Sequence, residues 1–320
     1  MFTVTALGEL LIDFTEKGYS ENGQRLFEQN PGGAPANVLV ALQRLGAQTA
    51  FLGKVGTDMH GSYLRETLQN EGVNIEGLIV DDHFFTTLAF VALNSAGERH
   101  FSFARKPGAD TQLRPDELRK DIIQNSRIFH TGSLSLTGEP VRSATLEALK
   151  TAQKAGCVLS YDPNYRAPLW DSREEAARQM RSVLPYMDLV KISDEETELL
   201  TGCARPEDAA AKLVEHAKAA VVTLGGKGAY VCTKEGGTIV PTFAGKVVDT
   251  TGAGDSFWGG FLFAFLQSGI AVENITLEQA KSFAQFGNAA ATLCVGKRGG
   301  IPAMPTLSET EALLKTAATE

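Results

Sequence analysis

The stretch VVDTTGAGDSFWGGFLFAFL, residues 247–266, reads as a strand end, a turn of small residues and then an apolar helix. At Gly252, Ala253 and Gly254 little side chain stands over the backbone, so the amides that open the helix are accessible to a ligand. Amides in a first helical turn have no intrahelical acceptor, and the helix macrodipole adds positive potential there. Such a turn is an anion hole. Asp255 falls in that first turn, within reach of any phosphoryl group the amides hold. A carboxylate beside an anion hole opposes simple binding, because the two negative groups repel. It suits phosphoryl transfer, in which the amides stabilise charge on the moving group while Asp255 accepts the proton of an attacking hydroxyl. The other account makes Asp255 a helix cap and the glycines a tight turn, and these residues alone leave both open.

The surrounding pattern is α/β. From about residue 110, short apolar or β-branched runs at 127–130, 158–161, 189–192 and 220–224 alternate with helical periods such as EPVRSATLEALK (139–150) and REEAARQM (173–180). Strands alternating with amphipathic helices imply βαβ units and a mostly parallel sheet flanked by helices. Residues 14–31 and 82–106 differ, showing strand-like alternation with no helix between the strands of the second segment. There TLAFVAL (87–93), NSAGE (94–98) and RHFSFA (99–104) read as a β-hairpin. The two excursions are expected to pair into a small β-sheet lid on a single domain spanning 1–320, with a homodimer through that sheet if its edge is exposed. Disorder is expected only after Leu314.

Composition sets the outer bounds. A chain of 320 residues, 43% of them apolar, buries a substantial core. With 30 basic against 38 acidic residues the formal charge is −8, which argues against nonspecific attraction to nucleic acid or an anionic membrane. Cys157, Cys203, Cys232 and Cys294 form no CxxC pair, so neither a disulfide framework nor a zinc site is expected. The start, MFTVTALGELLIDF, lacks a basic segment followed by an apolar one, and the longest apolar run, near 257–266, is too short to span a bilayer. These features predict a reducing cytoplasm. The histidines at 60, 83, 100, 130 and 216 show no catalytic or metal-ligand spacing and are assigned structural or surface roles.

No GxxxxGK[ST] run is present to hold nucleotide phosphates, and no GxGxxG opens a βαβ unit as a dinucleotide site requires. DTTGAGDSF (249–257) closely resembles the C-terminal signature of the ribokinase-like (PfkB) carbohydrate kinases. PGGAPANVLVALQRLG (31–46), continuing through FLGKVGTDMHG (51–61), looks like that family's N-terminal glycine-rich signature. The resemblance covers nearly the whole chain. It implies a ribokinase-like fold, ATP as phosphoryl donor, magnesium with it, and Asp255 as general base with the 252–255 turn in the role of a P-loop.

The resemblance also distributes the remaining roles. Asp13, Gly32, Gly33 and Asn37 match positions that hold sugar hydroxyls, and carboxylates, amides and closely approaching glycine backbone suit an uncharged polyol. From their residue types alone, Asp13 is equally a strand-end turn and Asn37 a helix-start cap. FARKPGAD (103–110) and YDPNYRAPLW (161–170) look like fructokinase segments. They imply that Arg105 covers the sugar from the lid, that Arg166 neutralises charge on the transferring phosphate, and that Asp162 and Asn164 orient Arg166. KISDEE (191–196) resembles the magnesium-supporting region, adding Lys191 to the nucleotide side and Glu196 to the metal. The family's Asn-x-x-Glu is here Ser193 to Glu196, which is equally a capping box. TLGGKG (223–228) places the nucleotide along Thr223, Gly225 and Gly228, or else forms a hairpin turn, and Asn288 in GNAAATL (287–293) matches a position near adenine. Asp249 and Thr251 fall where parts of the family hold a monovalent cation such as potassium. The implied reaction is transfer of the ATP γ-phosphate to the 6-hydroxyl of D-fructose. Alternatives are a kinase for 2-keto-3-deoxygluconate, ribose or a nucleoside, and a non-catalytic sugar or nucleotide sensor on the same fold.

Overall fold

β1 (Phe2–Leu7) leads into the antiparallel strands β2 (Leu11–Tyr19) and β3 (Arg25–Gly32), followed by α1 (Ala34–Arg44). β4 (Thr49–Gly56), α2 (Met59–Asn70) and β5 (Asn74–Asp81) come next, then β6 (Leu88–Leu93) and β7 (Arg99–Ala104). Strands and helices then alternate: α3 (Lys120–Gln124), β8 (Ser126–Thr131), α4 (Val141–Lys154), β9 (Val158–Tyr161), α5 (Arg173–Val183) and β10 (Leu189–Ser193). After α6 (Thr197–Thr201) and α7 (Pro206–Leu213), β11 (Ala219–Thr223), β12 (Ala229–Thr233) and β13 (Gly236–Val240) lie in succession. The chain closes with α8 (Ala253–Ser268), α9 (Leu277–Val295) and α10 (Leu307–Ala317). This computed structural model describes residues 2–93 and 99–317, so the hairpin turn expected at 94–98 lies outside the described residues.

The main sheet has nine strands in the order β13-β12-β11-β10-β9-β8-β1-β4-β5. At one edge the pairs β11–β12 and β12–β13 are antiparallel, and the remaining neighbouring pairs are parallel. This is the α/β class expected from the alternating runs. Side chains alternate between two cores, as on β11, where Val221 joins one and Ala220 and Val222 the other. The first core is filled by α1, α2, α8 and α9, the second by α3, α4, α5 and α7, so helices cover both faces. Strand order reverses at β1, which has β4 on one side and β8 on the other. In such sheets the crevice at the carboxyl ends beside that reversal is where ligands bind.

A separate four-stranded sheet has the order β3-β2-β6-β7, with β2 and β6 parallel and the outer pairs antiparallel. Asp13 does not end a strand, as its neighbourhood suggested, but lies within β2, opposite Asn30 and Ala89. The helix at the C-terminus also runs past Leu314 to Ala317. Its start explains the difference. Glu309 accepts from the Thr306 amide at 2.7 Å while its own amide donates to Thr306 Oγ1 at 3.3 Å, a capping box that nucleates α10.

α8 is apolar on nearly all sides, which forces it into the interior between α1 and α9. Trp258 is fully buried and donates its indole N–H to Ser160 Oγ at 2.9 Å, and Ser160 Oγ also lies 3.0 Å from His130 Nδ1. Burial drives the pKa of His130 down to about 3, so this histidine is a neutral structural group, as its isolation in the sequence suggested. The Trp258–Ser160 bond fixes α8 against β9. Asp162 and Asn164 follow β9 directly, so the same bond sets where the N-terminus of α8 meets them. No helix among the described residues is long and apolar enough to cross a membrane.

The close approach of α8 to α9 rests on glycine. A Cβ on Gly260 would lie 3.0 Å from Gly287 Cα and 3.1 Å from Ala290 Cβ. Gly260→Val is therefore expected to destabilise the fold by about 1–3 kcal/mol. A urea titration should show a lower midpoint at an unchanged m-value, and an unchanged midpoint would mean that the helices are not held at this distance by the glycine.

Candidate active site

At the carboxyl ends of β1, β8, β9, β10 and β11 a cleft of about 470 Å³ opens toward the small sheet. That volume suits a small-molecule site. The small sheet contributes Leu11, Asp13, Thr15, Val91 and Phe103 to one end. Ser193, Glu196, Thr223, Gly225 and the 250–254 turn line the other.

Asp255 is the third residue of α8, whose N-cap is Gly252 in the left-handed conformation at φ 76°. No side chain among the described residues caps this helix start. A Cβ on Gly252 would press on Gly300 Cα at 3.0 Å, so the turn needs glycine for space as well as for φ. The Ala253 amide donates to the Thr250 carbonyl at 3.3 Å, whereas the amides of Gly252, Gly254 and Asp255 have no hydrogen-bond acceptor among the described residues, so two of the three amides expected from the sequence stay open and that of Asp255 joins them. Each oxygen of Asp255 receives an amide hydrogen bond, Oδ2 from Asn37 at 2.8 Å and Oδ1 from Asn164 at 3.0 Å. Asn164 turns its side chain to Asp255 rather than toward Arg166, and does so from a left-handed backbone at φ 48°. Burial pushes the pKa of Asp255 up to about 6, and the Asp162 carboxylate adds to the rise. Lys191, the Asn37 hydrogen bond and Arg166 pull the other way. Such a carboxyl is poised to exchange a proton near neutral pH.

Behind Asp255 lies a buried ion pair. Lys191 Nζ is 2.7 Å from Asp162 Oδ2, and both side chains are almost wholly buried. Asp162 therefore orients Lys191, where the family resemblance had it accompany Arg166. Arg166 lines the cleft, with Nη1 donating to the Tyr165 carbonyl at 3.0 Å and its other donors without an acceptor among the described residues. Glu196 accepts from the Tyr165 amide at 2.6 Å, the Ser193 amide at 2.8 Å and Ser193 Oγ at 3.0 Å. The capping box is thus formed, and both oxygens of Glu196 are engaged by the chain.

At the end beside the small sheet, Asp13, Gly33 and Asn37 lie on the wall, and Gly32 packs directly beneath the Asp13 carboxylate, where any Cβ would collide with Oδ2. Gly33 has φ 118°, and a Cβ there would strike the Glu9 carbonyl. Arg105 is not on the wall. It is buried in a fan of bonds: Nε to Asp110 Oδ2 at 2.8 Å, Nη1 to Thr137 Oγ1 at 3.0 Å and Nη2 to the Leu134 carbonyl at 2.8 Å. The acid five residues on captures it, a pairing that periodicity does not disclose.

Glu9 was missed in the sequence. It lines the cleft while 3% exposed, and its Oε1 accepts the Ala34 amide at 2.8 Å, replacing the side-chain cap that Gly33 cannot give α1. Oε2 is buried without a hydrogen-bond partner among the described residues. Burial raises the pKa of Glu9 to about 7, despite the hydrogen bonds and the nearby Arg105 charge. The only signal was a carboxylate in an otherwise apolar run, GELLI (8–12).

At the other end, Thr223 and Gly225 line the cleft where β11 turns back into the antiparallel β12, so the hairpin exists and still presents its first half to the site. Gly228 faces away, packed on the Val240 carbonyl at φ 96°. Asn288 is buried and donates to the Val240 and Pro241 carbonyls, both at 3.0 Å, which ties α9 to the strand end beside the cleft. Asp249 accepts from the Thr251 amide at 3.0 Å, Thr251 Oγ1 at 2.8 Å and the Gly299 amide at 3.1 Å, bracing the loop before α8. No cluster of three or more His, Cys, Asp or Glu side chains suited to a metal occurs among the described residues.

A carboxylate gripped beside open helix amides, at the carboxyl edge of a mostly parallel sheet, is the site of an enzyme that moves a phosphoryl group to an alcohol. The chain belongs to the pfkB family of carbohydrate kinases, which it matches over residues 1–307. It is 45% identical over 316 residues to a probable fructokinase-4 of Arabidopsis thaliana, covering 98% of this chain and 96% of that protein. The crystal structure of a Xylella fastidiosa fructokinase with bound ATP superposes with a TM-score of 0.92 at 35% identity, covering 99% of both chains. A Vibrio cholerae fructokinase double mutant, solved with fructose, ADP and a potassium ion, gives a TM-score of 0.87 at 32% identity over 98% of both chains.

Glu9 provides a direct check of the site's electrostatics. Its native pKa of about 7 lies above the ordinary 4.5, so the folded protein holds this proton to higher pH than the unfolded chain does. Its contribution to stability is present below the lower value and is lost as pH rises toward the upper one. Glu9→Gln cannot ionise, so its unfolding free energy minus that of the wild type should grow between pH 4.5 and 7. Urea unfolding across that range would measure it, and a constant difference would show that Glu9 titrates normally.

Proposed function

We propose that the protein is an ATP-dependent fructokinase that transfers the γ-phosphate of ATP to the 6-hydroxyl of D-fructose. The observation that carries this reading is Asp255, held through both oxygens by Asn37 and Asn164 beside the open amides of the 252–255 turn, in a chain similar to fructokinases along nearly its whole length. Sugar hydroxyls meet Asp13, Asn37 and Asn164, while Leu11, Val91, Phe103 and Leu134 supply an apolar wall for the carbon skeleton. Asp255 takes the proton of the attacking hydroxyl. The Gly254 and Asp255 amides and Arg166 balance charge that develops on the transferring group.

The nucleotide lies along Thr223 and Gly225, with Asn288 bracing the wall near the base. Magnesium would draw together the nucleotide phosphates. Glu196 suits it through bound water rather than by direct ligation, since three chain donors already occupy its oxygens. The braced 249–251 loop suits a potassium ion. In this reading β2, β3, β6 and β7 act as a lid over the sugar. The compartment is a reducing cytoplasm, which suits four unpaired cysteines.

Asp255→Asn is expected to lower kcat by ~10²–10⁴ with the fold intact, the usual contribution of general acid–base catalysis. Turnover within about threefold of wild type would refute the base assignment. A panel of fructose, ribose, 2-keto-3-deoxygluconate and nucleosides at fixed ATP and magnesium should give the highest kcat/KM for fructose. A preference for another sugar would overturn the substrate and leave the kinase class standing.

The outer face of the small sheet carries aromatics. Phe90 stacks on Phe14 at 5.3 Å and meets Phe27 edge-on at 6.0 Å, yet Phe90 and Phe27 remain 36% and 37% exposed. A second copy of the chain pairing on this face is the homodimer of this reading. Phe90→Glu should then shift the mass seen by light scattering from dimer to monomer, and a wild-type monomer would dismiss the assembly.

A further inference from the structure

Lys191 is a buried cation in an unusual position. Its side chain is 6% exposed, and its ammonium occupies the space beside Gly254, where a Cβ would come within 2.8 Å of Nζ. An ion pair removed from water gains little for stability, because desolvation consumes most of the attraction. The Lys191–Asp162 pair is therefore not explained by folding. Nor is it a closed pair, since Asp162 Oδ1 is buried without a hydrogen-bond partner among the described residues. Three carboxylates act on the ammonium, those of Asp162, Glu196 and Asp255, with the neutral His130 behind it. Burial pulls the lysine pKa down, but these carboxylates outweigh it and hold the ammonium above its ordinary value. The charged and titratable groups facing Asp255 are Asp162, Lys191, Arg166 and the Cys294 thiol, beside the neutral amides of Asn37 and Asn164.

Two of these groups oppose each other. The Asp162 carboxylate raises the pKa of Asp255 and the Lys191 ammonium lowers it, so without the cation Asp255 would hold its proton to higher pH. We propose that Lys191 is a positioning residue that keeps Asp255 in its ionised, proton-accepting form, with Asp162 anchoring the ammonium against Gly254. The role rests on Asp255 being the general base. It differs from nucleotide binding, the role that the family resemblance gave Lys191.

The test is the acidic limb of kcat/KM for fructose at saturating magnesium–ATP. In the wild type, activity should fall as pH drops through the Asp255 value of about 6. Lys191→Met removes the cation and should move the limb to higher pH by about one unit or more. Asp162→Asn removes the like charge and should move it to lower pH. Lys191→Arg should keep the limb near its wild-type position even where kcat falls. A structural role alone cannot give shifts of opposite sign. If Lys191→Met does not fold, the direction of the Asp162→Asn shift still decides. A limb unmoved in the folded variants overturns the proposal, as does a rise in the KM for ATP with no shift, which would make Lys191 a phosphate ligand. Activity retained by Asp255→Asn would instead remove the base reading, whereas an inactive Asp255→Asn with an unmoved limb removes only the role of Lys191.

Discussion

A single carboxylate, that of Asp255, joins three segments that are remote in the chain. Its two oxygens are held by Asn37 on α1 and Asn164 after β9, and it belongs to α8. Burying a charge this deeply is costly unless every direction around it is compensated. The compensation comes from two amides, an ammonium, a guanidinium and a helix N-terminus, supplied by α1, the segment after β9, β10 and α8. For those donors to converge, α1, β9, β10 and α8 must meet at the carboxyl edge of the sheet. The fully buried Trp258, bonded to Ser160, and the glycine contacts of α8 with α1 and α9 hold them there.

What was legible in the sequence follows from range. The turn at 252–255 and its helix are local, and glycine, small residues and apolar content specify them without outside help. The strand at 158–161 is equally local, a β-branched and apolar run between two helical periods, and coincides with β9. The identity of Asp255 as the central acid was also readable, because its peculiarity, a carboxylate in an anion hole, lies within four residues.

Partners were not legible. Asn37 reaches Asp255 across 218 positions and Lys191 reaches Asp162 across 29, and no periodicity encodes such distances. Arg105 shows the same limit from the other side. Its neighbourhood pointed to the sugar, and in this structure Asp110, Thr137 and the Leu134 carbonyl hold the guanidinium inside the protein. Glu9 escaped notice because a carboxylate between apolar residues looks like a surface interruption until the end of β1 is seen to run beneath α1. Glu196 remained ambiguous for a different reason, since one carboxylate can cap a helix and still support a metal through water.

The backbone around Asp255 carries a further regularity. Gly33, Asn164 and Gly252 all have positive φ, at 118°, 48° and 76°. Each opens or precedes an element that delivers a group to the same carboxylate. Left-handed backbone is unfavourable for residues with a side chain, and Asn tolerates it better than most. At Asn164 the side chain that suffers this conformation is also the one that donates to Asp255, so the hydrogen bond offsets part of the backbone cost. Gly33 must lack a Cβ because the Glu9 carbonyl lies where one would stand, and that contact brings α1, with Asn37 four residues on, down onto the cleft. Unfavourable backbone is thus concentrated where the side chains must converge, and the two apolar cores on either side of the sheet supply the stability that lets it persist. The constraint runs from site to fold. An acid that must be both buried and ionisable requires donors from several directions, and only sharply turned chain ends bring that many donors to one point.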